Sequence, residues 1–211
     1  MSFDLSGGLY AITDRKLIPE ECLARTVEAA IRGGAKVIQL REKGADKSEV
    51  VRRGKAVLRI TREYGVPLII NDSPEAAKET GADGVHLGGD DAPVEEARNL
   101  LGGGAIIGVS CYGDIERGVE AEKQGANYAA FGTPYFTPTK PDRDPTPFEV
   151  LREAKRRLKI PVFAIGGITP ENVSDVLETG VDGVAVITAI FGVEDTEEAV
   201  KEIAGFFEDE V

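Results

Sequence analysis

The chain has 211 residues, of which 42% are hydrophobic and 29% charged, and its formal net charge at pH 7 is −12. This length and composition fit one folded domain with a sizeable core, and they exclude a disordered polymer. The acidic excess argues against a general binder of nucleic acid or membrane surfaces, so any cluster of Lys and Arg residues becomes informative.

Neither a membrane span nor a secretory signal is expected. No apolar run approaches the roughly 20 residues that cross a bilayer, and residues 1–10 lack a basic region followed by an apolar stretch. Cys22 and Cys111 fit neither a metal-ligand spacing nor a disulfide framework. We therefore expect a cytoplasmic protein without nucleic-acid or membrane partners, and the sequence leaves a homo-oligomer open.

Short apolar runs alternate with helical stretches along the chain, and each run is too short for a helix and lacks strict alternation, as is typical of parallel strands covered on both faces. The predicted strands are Leu9–Thr13, Val37–Arg41, Leu68–Asn71, Gly84–Leu87, Ala105–Val109, Tyr128–Phe131, Val162–Ile165 and Gly183–Ile187. The predicted helices are Pro19–Arg32, Lys47–Tyr64, Pro74–Thr80, Pro93–Leu101, Asp114–Gln124, Pro147–Leu158, Pro170–Glu178 and Thr196–Phe207.

A weak internal repeat supports this division. Gly34, Gly81, Gly125 and Gly180 stand where every second helix gives way to a strand, and a glycine there can adopt the left-handed conformation that ends a helix. Eight alternating units without a linker predict an α/β fold, a single (β/α)8 TIM barrel over residues 1–211. An open doubly wound sheet is the structural alternative.

The end of the second predicted strand carries two cations. Gln39, Arg41 and Lys43 point to the same side of an extended chain. Arg binds phosphate oxygens in a fork and Lys adds a compact charge, so these residues at a barrel mouth predict an anionic ligand. Lys140, in the long loop after the sixth strand, is a third cation that could converge there. Alternatively, these are surface residues paired with Glu42 or Asp46.

Asp72 and Asp91 follow the third and fourth predicted strands, which are neighbours. They are well placed to share a Mg²⁺ ion whose other ligands are water and phosphate oxygens, and Asp90 could replace Asp91. Each Asp taken alone is better explained as a helix cap, because both precede a helix that starts with proline. Beside the cations, a metal–diphosphate site is the better hypothesis.

A second phosphate site is predicted after the last two strands. Gly166 and Gly167 let the backbone approach an anion closely, and Ile187–Phe191 predicts a short extra helix with free N-terminal amides. The two glycines alone would also fit a tight turn. His86 lacks a Ser or Cys partner in a motif, so packing explains it as well as catalysis does, and Cys111 is expected to be a small buried side chain.

Seven short motifs occur in order at the predicted strand ends. They are Tyr10-Ala11-Ile12-Thr13-Asp14, Gln39-Leu40-Arg41-Glu42-Lys43, Ile70-Asn71-Asp72, Gly84-Val85-His86-Leu87-Gly88, Gly108-Val109-Ser110, Thr137-Pro138-Thr139-Lys140 and Phe163-Ala164-Ile165-Gly166-Gly167-Ile168. Together they cover nearly the whole chain, and the set resembles the thiamine phosphate synthase family.

The resemblance implies a transferase that joins 4-amino-2-methyl-5-hydroxymethylpyrimidine diphosphate to 4-methyl-5-(2-hydroxyethyl)thiazole phosphate, releasing pyrophosphate, with Mg²⁺ as cofactor. It implies that Asp72 and Asp91 bind the metal. The implied catalytic residues are Arg41, Lys43, Ser110 and Lys140, and the implied substrate-binding residues are Gln39, Leu40, Arg41, Glu42, Lys43, Asn71, Ser110, Thr137, Pro138, Thr139, Lys140, Gly167, Ile187 and Thr188.

Two dipeptides depart from the family pattern. Cys111-Tyr112 stand where a histidine often follows the serine, and Tyr135-Phe136 stand where Phe-Pro is common. Two other functions are also compatible with the barrel: a thiazole tautomerase, which isomerises the thiazole phosphate, and a non-catalytic phosphate-ligand binding barrel. Neither needs the paired carboxylates and cations, which therefore favour the synthase.

Overall fold

A computed structural model describes residues 5, 7–137 and 144–207, and within them strands and helices alternate as predicted. The strands are β1 (Gly8–Ile12), β2 (Val37–Leu40), β3 (Leu68–Asn71), β4 (Gly84–Leu87), β5 (Ile106–Tyr112), β6 (Tyr128–Gly132), β7 (Val162–Ile165) and β8 (Gly183–Val186). The helices are α1 (Leu23–Arg32), α2 (Lys47–Tyr64), α3 (Pro74–Thr80), α4 (Val94–Leu101), α5 (Ile115–Lys123), α6 (Phe148–Arg157), α7 (Val173–Leu177), α8 (Thr188–Phe191) and α9 (Thr196–Ala204), with 3-10 turns at Glu20–Cys22 and Gly205–Phe207.

The eight strands pair in chain order and β8 returns to β1, which closes the barrel. Every pair is parallel; for example, Leu9 of β1 lies opposite Val184 of β8. The predicted TIM barrel is therefore confirmed, and the open sheet is wrong. In the part of the chain that the structure describes, no helix combines the length and hydrophobicity needed to cross a membrane.

The glycine repeat behaves as predicted, because Gly34, Gly81, Gly125 and Gly180 all have positive φ angles, from 76° to 109°. Most element ends differ from the prediction by a few residues. Pro93 and Pro147, for instance, precede their helices as extended capping residues with ψ near 150°.

Strand β5 is longer than predicted, and the extra length changes the position of the candidate residue Ser110. The strand continues through Ser110 to Tyr112, and its register with β6 shifts between these two residues. Tyr112 has a φ of 57°, which is uncommon for a residue with a side chain and marks the irregularity. Ser110 therefore lies within the barrel wall.

Alternate side chains of each strand fill the barrel or face the helices. Tyr10, Tyr128 and Phe163 meet edge to face inside the barrel, with ring centroids 5.5–5.7 Å apart. Gly108 leaves room for this cluster, because a Cβ atom there would lie 1.9 Å from the Tyr128 ring. The aromatic cluster forms the floor beneath the C-terminal mouth.

Candidate active site

A cavity of about 530 Å³ opens at the C-terminal ends of the strands. In this fold, functional residues concentrate at that end because eight loops converge there. Among the described residues that were predicted as site residues, those lining the cavity are Gln39, Arg41, Asn71, Ser110, Thr137, Gly167, Ile187 and Thr188. Residues predicted at the ends of β2, β3, β5, β6, β7 and β8 are therefore brought to one space.

A smaller cleft of about 290 Å³ adjoins the cavity. Lys43 and Asp72 line it, and Asn71 lines both spaces. Gln39 and Arg41 face the main cavity, whereas Lys43 does not, because β2 ends at Leu40 and strand alternation no longer governs the chain beyond it. The two cations predicted on one face are thus on adjoining parts of the mouth.

Arg41 is held by two contacts with the first strand's end. Its backbone N–H donates to Thr13 Oγ1 at 3.0 Å, and its Nη1 donates to Asp14 Oδ2 at 2.7 Å. The side chain is only 12% exposed. Asp14 thus fixes the guanidinium at the cavity wall, while the other N–H groups of its five-donor fork remain to bind an oxyanion.

The carboxylates of Asp72 and Asp91 lie close together beside the cleft. Asp72 adopts a left-handed φ of 66°, which Asp tolerates better than most residues, and it forms an ion pair with Lys43. Asp91 Oδ2 accepts a hydrogen bond from the Gly88 amide at 2.6 Å. Burial raises the pKa of Asp91, and the neighbouring carboxylate of Asp72 adds to that rise.

Helix capping, the alternative explanation for these two residues, is wrong. Ser73 caps α3 by accepting from the Ala76 amide, and Pro93 precedes α4 without a side-chain cap. Asp72 and Asp91 are therefore free of that structural role. The described residues contain no cluster of three or more His, Cys, Asp or Glu side chains suited to a metal ion.

A chain of buried hydrogen bonds crosses the floor of the cavity. Gln39 Nε2 donates to Tyr10 Oη at 2.8 Å, and Tyr10 Oη lies 2.7 Å from Tyr128 Oη. Tyr128 Oη lies 2.9 Å from His86 Nδ1, and His86 Nε2 lies 2.8 Å from Ser110 Oγ. Burial raises the pKa of both tyrosines. No Ser or Cys stands beside His86 in its own motif, but adjacent strands bring Ser110 to it.

The opposite side of the cavity is built from backbone. Gly166 and Gly167 have positive φ angles of 120° and 61°, and a Cβ atom on Gly167 would lie 2.3 Å from the Phe136 carbonyl oxygen. The short helix predicted after the last strand is confirmed as α8, which begins at Thr188 with Ile187 as its capping residue, and the first-turn amides of a helix have no partner within it. The strand-end residues on this side therefore present amides and hydroxyls, and the described acidic residue that lines the cavity is Asp144.

Some predicted residues lie away from this cavity. The Leu40 side chain is fully buried in the core outside the barrel. The Glu42 carboxylate is 1% exposed and lies 3.1 Å from Arg53 Nε of α2. Neither side chain is accessible to a ligand in the main cavity. The predicted residues Pro138, Thr139 and Lys140 lie outside the described residues.

Two residues to which the sequence assigned no role in the site support the mouth. Arg117 of α5 donates from Nε to the Ser110 carbonyl at 2.7 Å and from Nη2 to the Gly88 carbonyl at 2.8 Å. The Tyr112 hydroxyl accepts from the Gly89 amide at 2.9 Å. These contacts join the ends of β4 and β5, and no local sequence pattern predicts them.

Comparison with known proteins identifies close relatives. Residues 9–190 match the family described as thiamine monophosphate synthase. The thiamine-phosphate synthase of Methylococcus capsulatus is 46% identical over 202 residues, which are 96% of this chain and 90% of that protein. That of Clostridium novyi is 45% identical over 202 residues, covering 95% and 98%. The thiamine phosphate pyrophosphorylase from Pyrococcus furiosus superposes with a TM-score of 0.87 at 42% identity, covering 96% of both chains.

Proposed function

The chain belongs to the thiamine monophosphate synthase family, and on that premise we propose that it joins 4-amino-2-methyl-5-hydroxymethylpyrimidine diphosphate to 4-methyl-5-(2-hydroxyethyl)thiazole phosphate. The products are thiamine phosphate and pyrophosphate. The observation that carries this proposal is a single cavity with a basic side at Arg41 and an amide-rich side at Gly167 and Thr188. Two substrates with separate phosphate groups need such a division.

The diphosphate would lie between the main cavity and the adjoining cleft. Arg41, oriented by Asp14, would bind its oxygens in a fork, and Lys43 would neutralise charge from the cleft side. Gln39 and Asn71 would hold the pyrimidine end, and Ser110 would bind the diphosphate. Leu40 and Glu42 would contribute through the backbone at most, because their side chains are buried. Lys140, Pro138 and Thr139 remain predicted ligands.

We further propose that Asp72 and Asp91 bind Mg²⁺. The mutual repulsion that contributes to the raised pKa of Asp91 fits a site meant for a cation between two carboxylates. Mg²⁺ commonly takes one or two carboxylates and completes its ligands with water and substrate phosphates, so a larger protein cluster is not required. When bound, the ion would stabilise the negative charge of the departing diphosphate.

The thiazole phosphate would occupy the opposite side. Backbone amides at Gly167 and Thr188 would bind its monophosphate, with further contacts from Ile187 and Thr137. Because Gly167 has no side chain, the Phe136 carbonyl can pack directly against it, and the monophosphate would approach the Gly167 amide. This arrangement would direct the thiazole nitrogen towards the pyrimidine methylene carbon.

The proposed reaction asks for charge stabilisation rather than for a general base. The bond from the pyrimidine methylene carbon to the diphosphate oxygen breaks, and its electron pair leaves with pyrophosphate. The lone pair of the thiazole nitrogen then forms the new C–N bond, so no proton has to be removed. Arg41, Lys43 and Lys140 would stabilise the leaving group, and the enclosed cavity would limit attack by water.

Supplying both substrates with Mg²⁺ to the purified protein tests the proposal, with thiamine phosphate as the expected product. If the protein instead isomerised the thiazole phosphate without joining it, the tautomerase hypothesis would replace the synthase. If it bound both phosphates without turnover, the binding-protein hypothesis would. The cytoplasm, where both phosphorylated substrates would be retained, is the proposed compartment.

A further inference from the structure

We propose that Tyr10, Tyr128 and His86 form a directional hydrogen-bond relay that holds Ser110 as a hydrogen-bond donor towards the cavity. The three residues would be positioning residues, because they act on the ligand only through Ser110. The identity of the acceptor, a diphosphate oxygen, rests on the proposed function. The direction of the relay does not, because it follows from the contacts of the ligand-free chain.

The direction follows from counting hydrogens. A hydroxyl group carries one hydrogen, so it can donate once while accepting from another group. Gln39 Nε2 donates to Tyr10, whose other described partner is the Tyr128 hydroxyl. We assign the Tyr10 hydrogen to Tyr128, because it would otherwise be buried without an acceptor. Tyr128 in turn directs its hydrogen to Nδ1 of His86. Each link is 2.7–2.9 Å long, the normal range for a hydrogen bond.

His86 determines whether Ser110 donates or accepts the hydrogen bond between them. Because Nδ1 accepts a hydrogen bond, the neutral ring carries its proton on Nε2, which lies 2.8 Å from Ser110 Oγ. The serine oxygen therefore accepts from His86, and its own hydrogen is left to point at the cavity that both residues line. In the reverse order, Ser110 would donate to His86 and could not donate to a bound anion.

Burial keeps the relay from exchanging with water. Tyr10, Tyr128 and Gln39 are each at most 2% exposed, and His86 is 6% exposed. The tyrosine rings are fixed by Phe163, and Gly108 provides the space that the Tyr128 ring occupies. In so apolar a setting successive hydrogen bonds polarise one another, and an unpaired hydroxyl is costly. Burial also raises the pKa of both tyrosines, so they stay protonated and able to donate.

Ser110 itself is held for this role by the backbone. Arg117 binds its carbonyl oxygen, and the register shift of β5 begins at this residue. The backbone position of Ser110 is therefore fixed, and the relay determines only the direction in which its hydroxyl hydrogen points. This is the kind of preorganised donor that stabilises charge developing on a leaving group.

The tautomer of His86 tests the relay directly. The chain has one histidine, so protein labelled with ¹⁵N-histidine gives a single imidazole pattern in two-dimensional ¹H–¹⁵N spectra. At neutral pH we expect a protonated Nε2 and an unprotonated Nδ1, identified by their couplings to the two ring C–H protons. A protonated Nδ1, whether in the other neutral tautomer or in an imidazolium, would overturn the proposal.

Removing single hydroxyls tests the role in catalysis. Tyr128→Phe should abolish the single tautomer of His86 and lower kcat/KM by about 5- to 10-fold, the effect of one lost hydrogen bond. Tyr10→Phe should weaken the tautomer preference in the same sense. Tyr64→Phe is the matched control, because the Tyr64 hydroxyl bonds Glu28 on the exposed surface, 2.8 Å away, and it should match the wild type.

The two arms separate the proposals. A wild-type protein without synthase activity would contradict the proposed function, whereas the tautomer experiment needs no substrate and would still decide the direction of the relay. If Tyr128→Phe kept full activity in an active enzyme, or if it changed activity while His86 kept its wild-type tautomer, the relay would be refuted.

Discussion

Replacing Arg53 with methionine should destabilise the protein through a buried carboxylate. Arg53 is 5% exposed and lies 3.1 Å from Glu42, whose side chain is 1% exposed, so the substitution leaves a charge buried without its main partner. Breaking such a pair from one side costs about 3–5 kcal/mol. We expect about 3 kcal/mol at pH 8, which corresponds to a fall in Tm of about 6–12 °C for a chain of this size.

The loss should depend on pH with a defined sign. Burial raises the pKa of Glu42 while Arg53 lowers it, so removing Arg53 raises that pKa further. When a carboxyl has a higher pKa in the folded protein than in the unfolded chain, the free energy of unfolding falls as the pH rises through the folded-state pKa. The Arg53→Met variant should therefore be closest to the wild type near pH 5 and most impaired at pH 8.

Calorimetry at the two pH values measures this effect. Adding Glu42→Gln to Arg53→Met should recover most of the lost stability, because no charge then stays buried. Arg152→Met is the matched control: its ion pair with Glu149 is exposed, and such pairs contribute no more than about 1 kcal/mol. An equal loss at both pH values, with no recovery in the double variant, would refute the reasoning.

Three further predictions concern the mouth and the core. Asp91→Ala should raise the Mg²⁺ concentration needed for half-maximal turnover by at least about tenfold, measured by metal titration of the rate. Gly167→Ala should raise KM for the thiazole phosphate more than for the pyrimidine diphosphate, because the new methyl group would displace the Phe136 carbonyl beside the proposed monophosphate site. Burial raises the pKa of Cys111 to about 12, so mass spectrometry at pH 8 should find iodoacetamide on Cys22 alone in the folded protein and on both thiols after unfolding.

Each of these has a control or a contradicting outcome. Asp90→Ala removes an exposed neighbouring carboxylate and should leave the metal titration unchanged; equal effects of both substitutions would contradict the assignment of Asp91. Gly103→Ala places a methyl group where no atom lies within 4 Å and should leave both KM values unchanged. Alkylation of Cys111 in the folded protein would contradict its burial.

The sequence was sufficient to predict the barrel and much of its mouth. Local patterns carry this information: glycines such as Gly81 end helices, and motif residues such as Arg41 fall at strand ends that the closed topology brings together. The predicted roles of these residues in binding and catalysis stay predictions. The Gly166–Gly167 pair and helix α8 likewise lie together as expected, because β7 and β8 are neighbours.

The sequence patterns could not predict which side chains from distant segments contact each other. Arg41 pairs with Asp14 rather than with a neighbour in its own loop, and Glu42 pairs with Arg53 of the following helix. His86 meets Ser110 only because the registers of β4 and β5 align, which no single-strand pattern reveals. Strand and helix periodicity predict which face a side chain takes, but not which partner it finds there.

The central claim is that this barrel joins two phosphorylated molecules, and ³¹P NMR of a single reaction tests it most directly. With both substrates and Mg²⁺ present, the account predicts that the diphosphate signals of the pyrimidine are replaced by those of free pyrophosphate, with thiamine phosphate appearing in equal amount. Omitting the thiazole phosphate should prevent thiamine phosphate formation. Unchanged diphosphate signals in the complete mixture, with folded protein and Mg²⁺ present, would contradict the account.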